Sequence, residues 1–286
     1  LIKALAGLRR FDVRKFFAPS TTDFVAVAFP KVGNTWLRFS LGRYIKIRHA
    51  IADDVLLDNG DVEILKQQRA FASGYFTHQP LEWDNQTADD LSHENVTLPH
   101  DGGRVLLLVR HPLDALVSLY MHEAYRVRPR RLFGTPADMV DNPVFGLSKF
   151  LRFYQLWDEH IGRSGAENVL VWRYEDAKHD PRKQLHRIVE WLGDDVDHKA
   201  LSEAVAYGSF DNMKQMEITK QSPAYRSSGF KVFGNSDPAT PDSMHIREGS
   251  SGGWRQHFPA SMHAELECRV REGMPKQFGY SSLTSS

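Results

Sequence analysis

Four short apolar runs constrain this chain more than any other feature. They are DFVAVAF (Asp23–Phe29), FASGYFT (Phe71–Thr77), RVLLLV (Arg104–Val109) and NVLVWR (Asn168–Arg173). Near-continuous apolar character suits strands of a parallel sheet that is covered on both faces. Helical patterns lie between the runs. After RVLLLVRHP, the residues Leu113, Leu116, Val117, Tyr120 and Met121 recur at the spacing of one helix face. Pro112 suits the first turn of that helix. Leu185, Ile188, Val189 and Leu192 mark a second helix that ends near Gly193, and FGLSKFLRFYQLWDEHI marks a third. Strands alternating with helices imply an α/β fold with a central, mostly parallel sheet flanked by helices.

The chain has 286 residues, of which 41% are hydrophobic, enough for a substantial core. No internal repeat or low-complexity linker divides it. We expect one domain over 1–286, with 1–20 as a basic lead-in helix or segment and a core of about 23–275. The 36 basic and 36 acidic residues balance, so no global field calls for nucleic acid or a membrane surface. No apolar run approaches the roughly 20 residues of a membrane span. The basic run RVRPRR (Arg126–Arg131) is expected to be a solvated loop. With one cysteine, a disulfide within the chain is impossible, which favours a reducing, cytoplasmic setting. Cys268 is expected to be a small buried hydrophobe. The region from Gly208 to Trp254 is rich in Gly, Ser, Pro and Asp and is expected to be mostly loop.

In sheets of this kind, ligands bind beyond the carboxyl ends of the strands. Three runs end there in polar clusters. PKVGNTW follows the first. A strand-to-helix turn exposes unpaired N–H groups where the helix dipole favours an anion. Gly33 allows close backbone approach, Asn34 and Thr35 add donors, Lys31 adds charge, and Trp36 offers a ring to stack or pack. The order of lysine and glycine is not that of an ATP-binding P-loop, and Asn34 or Thr35 as a plain helix cap is the simpler alternative. In VRHPLDALVSLY, Arg110 and Ser118 make a second candidate anion site. Arg110 paired to Asp114 is its structural alternative. His78 in FTHQP ends a strand, where a histidine can act as a base near neutral pH. In MHIREGSSGGW, Arg247 and the loop glycines can wrap a phosphate, or form only a surface turn.

The ordered set PKVGNTW, FTHQP, RHPLDALVSLY, YEDAKHDP, SFDNMK and REGSSGGW resembles the soluble sulfotransferases, over about Val25 to Phe258. The resemblance implies an α/β core related to nucleotide kinases. It implies 3′-phosphoadenosine 5′-phosphosulfate as donor, its 3′,5′-bisphosphate as product, and no required metal. It assigns the 5′-phosphosulfate loop to Lys31, Val32, Gly33, Asn34 and Thr35, with Trp36 and Tyr174 near the adenine. Arg110 and Ser118 match the 3′-phosphate pair. Ser209 and Phe210 match a segment that closes on the adenine. Arg247, Glu248 and Gly249 match a second 3′-phosphate loop. His78 matches the catalytic base, and Lys31 and Ser118 complete the expected catalytic set. Some positions depart from the family pattern. Asn34 stands where a threonine is common, Glu248 where a lysine is common, and Phe76 where many members have a lysine. The dimer-forming motif of animal members is absent from Arg255–Ala264, so that route to a dimer has no support and the oligomeric state stays open.

The implied reaction moves a sulfuryl group to a hydroxyl, or less readily an amine, of a small-molecule acceptor. Candidate acceptor contacts are Trp83, Met121–Asp141 and Gly208–His245, which do not select one acceptor. Two other readings stand beside it, an ATP-dependent small-molecule kinase and a non-catalytic bisphosphonucleotide-binding module.

Overall fold

Strand β1 (Phe24–Ala28) lies between two neighbours, with β2 (Gly74–Thr77) on one side and β3 (Val105–Val109) on the other. Strand β4 (Val169–Arg173) pairs with β3 and completes the order β2-β1-β3-β4, every pair parallel. The molecule is represented by a computed structural model that describes residues 22–280 apart from 53, 58–60, 69, 71, 79–84, 98–102, 128–133, 165 and 221–235. The expected lead-in at 1–20, Trp83, Phe71 and the greater part of the RVRPRR run fall outside the described residues. All five residues of β3 are buried, as a strand covered on both faces requires. The paired segments are shorter than the apolar runs. Asp23, at the head of the first run, ties the two strand starts together instead, accepting from the Ser73 backbone N–H (2.7 Å) and hydroxyl (2.8 Å).

The crossovers are helical. Helix α1 (Asn34–Arg48) follows β1, α2 (Pro112–Met121) follows β3, and α3 (Leu147–Ser164) precedes β4. After β4 come α4 (Tyr174–His179), α5 (Pro181–Leu192), α6 (His198–Tyr207), α7 (Phe210–Thr219) and α8 (Ala260–Gly273). Helix α2 starts at Pro112 as its sequence predicts, but its burial is wider than one face. Asp114, Ala115 and Leu119 are buried with the expected five, so Ser118 stands out as a half-exposed residue of this helix. Helix α5 is capped by Asp180, which accepts from Lys183 N–H at 2.9 Å, and stops at Gly193 in the left-handed region. Phe29 packs against Phe150 and Phe153 of α3, and the Tyr154 hydroxyl donates to the Leu108 carbonyl at 2.9 Å.

One expectation is refined and one is corrected. The described residues of the stretch from Gly208 to Trp254 are mostly loop, as expected, but they include helix α7. Ser209 Oγ caps α7, whose Met213 and Glu217 are buried, and burial of these two outweighs the loop-like composition around them. Cys268 is only partly buried, on α8, where its thiol donates to Glu272 and accepts from Arg271. It lies among the polar residues of that helix and not with Leu266 and Val270, which face the core. No helix among the described residues is long and apolar enough to cross a membrane.

Helix α1 is pressed closely by the segment that follows it. A Cβ added at Gly42 would lie 2.0 Å from the Val55 carbonyl oxygen. Gly42→Ala must therefore move one segment against the other, and overpacking of this kind costs roughly 1–3 kcal/mol. Urea unfolding should show that loss as a lower midpoint. An unchanged midpoint would mean that the contact yields freely.

Candidate active site

The carboxyl ends of the parallel strands open onto a cavity of about 910 Å³, at the upper end of the range of about 300–1,000 Å³ usual for small-molecule sites. The first wall is the turn after β1. Lys31 and Gly33 both have left-handed backbone, at φ 72° and 109°. A Cβ on Gly33 would lie 2.9 Å from Tyr174 and 3.1 Å from Trp172, so only glycine fits. Gly33 is itself the residue that precedes α1, and no side chain caps the helix. The first-turn N–H groups of α1 are therefore left for a ligand. This corrects the simple cap alternative for Asn34 and Thr35. The Val32 side chain is fully buried in the core and is not among the cavity's lining residues, so it is the Val32 backbone that faces the turn. Trp36 stands edge-on to Trp172 and Tyr174, at 5.7 and 5.4 Å between ring centres.

His78 emerges from β2 against this turn. Its Nδ1 lies 2.8 Å from the Ala28 carbonyl and its Nε2 lies 3.2 Å from Asn34 Nδ2. A carbonyl only accepts, so Nδ1 carries the proton and Nε2 presents its lone pair to the amide. Burial, with Arg38 and Lys31 nearby, holds the imidazole neutral, pushed down to about 4 against the pull of the Ala28 hydrogen bond. Asn34 thus orients His78, while its own Oδ1 is buried with no hydrogen-bond partner among the described residues. Burial and the Arg126 and Arg110 guanidiniums lower Lys31 to about 7.

Arg110 ties the site together from the end of β3. It donates to the Lys31 carbonyl (3.1 Å) and the Ser250 carbonyl (3.4 Å). Its guanidinium lies 4.2 Å from the centre of the Tyr174 ring, and its Nε is buried with no hydrogen-bond partner among the described residues. Asp114 does not pair with it. Instead the Asp114 carboxylate accepts from Gly252 N–H (2.7 Å) and Trp254 N–H (3.0 Å) and pins the Gly-rich loop to α2. Ser118, Ser209, Phe210, Arg247, Glu248 and Gly249 all line the same cavity. Glu248 does not turn away from its neighbour: its carboxylate accepts from Arg247 and from Ser250 Oγ. Lys178, on α4, donates to the Gly249 carbonyl across the gap.

Other cavity residues escaped the linear reading. Arg126 heads the basic run expected to be solvated, yet it is buried and lines the cavity. It belongs to a π-helical turn, His122–Arg126, that continues α2, and such turns recur at functional sites. His245 bridges Arg126 (2.5 Å) and Thr35 Oγ1 (2.9 Å). A histidine two residues before Arg247 was the one sequence signal for it. Among the described lining residues, Lys31, Arg38, Arg110, Arg126, Lys178 and Arg247 face two carboxylates, Asp114 and Glu248, both already bonded. With Arg110 Nε unpartnered, the cavity fits a ligand that carries several negative charges. Among the described residues, no group of three or more His, Cys, Asp or Glu side chains could hold a metal ion.

Comparison with known proteins matches the family of the sulfotransferase domain over residues 21–278. The chain is similar to Cytosolic sulfotransferase 13 of Arabidopsis thaliana, 24% identical over 277 residues, covering 91% of this chain and 79% of that protein. It is similar to the 3-alpha-hydroxysteroid sulfotransferase of Cavia porcellus, 24% identical over 300 residues, covering 94% and 91%. In fold it is similar to a mouse sulfotransferase solved in complex with PAP, with a TM-score of 0.58, 23% identity, and coverage of 91% of this chain and 86% of that one.

The buried bases make stability depend on pH. Burial holds both His78 and His111 at about 4, whereas in the unfolded chain they titrate near 6.5. Between those values the unfolded state binds more protons, so stability falls as pH falls through that window. Each such histidine adds a slope of up to about 1.4 kcal/mol per pH unit. Urea unfolding should give a clearly lower midpoint at pH 5.0 than at pH 7.0, and equal midpoints would show that these imidazoles titrate freely in the fold.

Proposed function

The chain belongs to the sulfotransferase family, and on that premise we propose that this cavity takes 3′-phosphoadenosine 5′-phosphosulfate and a small hydroxyl acceptor, with His78 as general base. The observation that carries the proposal is the arrangement of His78. Its tautomer is set by the Ala28 carbonyl, its Nε2 accepts from the Asn34 amide that a substrate hydroxyl could replace, and Lys31 shares its cavity. When bound, the donor supplies the sulfuryl group and departs as adenosine 3′,5′-bisphosphate. PAP in the mouse sulfotransferase supports that donor, and the hydroxysteroid in the name of the Cavia porcellus relative supports a hydroxyl acceptor.

The roles of the residues follow from their chemistry. Gly33 and the first-turn N–H groups of α1 bind the 5′-phosphate, joined by the Thr35 hydroxyl. Lys31 stabilises charge on the leaving phosphate oxygen. Binding an anion raises its pKa from about 7, so it is fully charged when it is needed. The acceptor hydroxyl replaces the Asn34 amide at His78 Nε2 and gives its proton there. A neutral imidazole is ready at pH 7, and the negative charge of the donor strengthens it as a base. Arg110, Ser118 and Arg247, with the Gly249 backbone, hold the 3′-phosphate. Glu248 leaves Arg247 to that phosphate as it binds. Trp36, Tyr174 and Phe210, with Ser209, border the adenine.

His78→Ala should lower transfer by roughly 100- to 10,000-fold, with little change in calorimetric affinity for adenosine 3′,5′-bisphosphate. Transfer at the unsubstituted rate would remove His78 as the base. Arg110→Ala should weaken that bisphosphate by roughly tenfold or more, the scale of a lost charged hydrogen bond, and adenosine 5′-phosphate far less. Equal weakening of the two ligands would place Arg110 away from the 3′-phosphate.

A further inference from the structure

His245 connects three distant segments inside the cavity wall. Its Nδ1 lies 2.5 Å from an Arg126 Nη and its Nε2 lies 2.9 Å from Thr35 Oγ1. Arginine can only donate, so Nδ1 must accept. Burial among Lys31, Arg126 and His122 keeps the ring neutral, well below the usual histidine range. A neutral ring with Nδ1 accepting carries its proton on Nε2, and that proton goes to Thr35 Oγ1. A threonine hydroxyl that has accepted still has its own proton to place. No described residue accepts it, and Thr35 lines the cavity in the first turn of α1.

The ring is held firmly in place. The His245 backbone N–H donates to Glu217 Oε1 (2.6 Å), the Ile246 N–H donates to Glu217 Oε2 (2.8 Å), and Ser236 Oγ donates to the same buried carboxylate. Arg126 is buried on the π-helical turn. We propose that His245 is a positioning residue: the chain Arg126–His245–Thr35 turns the Thr35 hydroxyl into a fixed donor aimed at the 5′-phosphate of the bound nucleotide. This rests on the donor assigned above. Its value is preorganisation, because a hydroxyl free to rotate must lose that freedom on binding.

Calorimetry on the full chain tests the proposal with two ligands, adenosine 3′,5′-bisphosphate and adenosine 3′-phosphate, which lacks the 5′-phosphate. His245→Phe keeps a ring and removes both nitrogens. It should weaken the bisphosphate by roughly tenfold and leave adenosine 3′-phosphate unchanged. His245→Gln, whose Nε2 can still donate, should recover part of the loss. In a Thr35→Val background, His245→Phe should cost nothing further. Equal loss for both ligands, no loss for either, or full additivity with Thr35→Val would overturn the positioning role. Nitrogen-15 NMR of the unsubstituted protein adds a test that needs no variant: the Nε2-protonated tautomer is expected, and an Nδ1-protonated ring would overturn the relay. If the unsubstituted chain fails to bind the bisphosphate at all, the donor assignment falls and this inference with it. If it binds and His245→Phe binds equally well, only this inference falls.

Discussion

The site depends on one constraint, the parallel pairing of β1 between β2 and β3. The register sets Val27 opposite Thr77 and Ala28 opposite Leu108, and β4 ends with Arg173 opposite Val109. Because all four strands run the same way, their next residues leave the sheet at one edge. The Lys31 turn, His78, Arg110 and Tyr174 therefore meet, although they are far apart in sequence. The Ala28 carbonyl at the end of β1 then sets the tautomer of His78, and the Lys31 carbonyl receives Arg110. A strand turned the other way would carry its functional residue to the opposite edge.

Gathering these groups concentrates positive charge. Burial and mutual repulsion depress Lys31, His78 and His245 together. Two of the carboxylates close by accept from backbone N–H groups. Asp114 holds the Gly-rich loop by Gly252 and Trp254, and Glu217 holds His245 and Ile246. They fix the loops in place and leave much of the cationic field for a ligand.

Much of this was legible because local chemistry repeats it. Near-continuous apolar runs marked the strands, Pro112 and Gly193 marked helix ends, and polar clusters at strand ends marked the turn at Lys31, His78 and Arg110. The remainder depended on side chains meeting across long separations. Arg126 belongs to a basic run that a linear reading assigns to solvent, and only the π-helical turn carries it inward. The sequence offered Asn34 as a cap or a phosphate donor, whereas its amide is turned to His78. Helix α7 was hidden by the Gly- and Ser-rich residues around it, because the burial of Met213 and Glu217 is a tertiary property.

By itself, the sequence determined the class of sheet, the positions of the polar turns at the strand ends and the residue types in them, since these follow from strand hydrophobicity, helix starts and short-range spacing. The tertiary structure alone decided which polar atoms are paired and which are left for a ligand. It placed Glu248 on Arg247, Asp114 on the loop backbone, and His245 between Arg126 and Thr35. A hydrogen bond is made over about three ångströms between atoms that can be 210 residues apart. Proximity of that kind arises from packing, and no pattern along the chain encodes it locally.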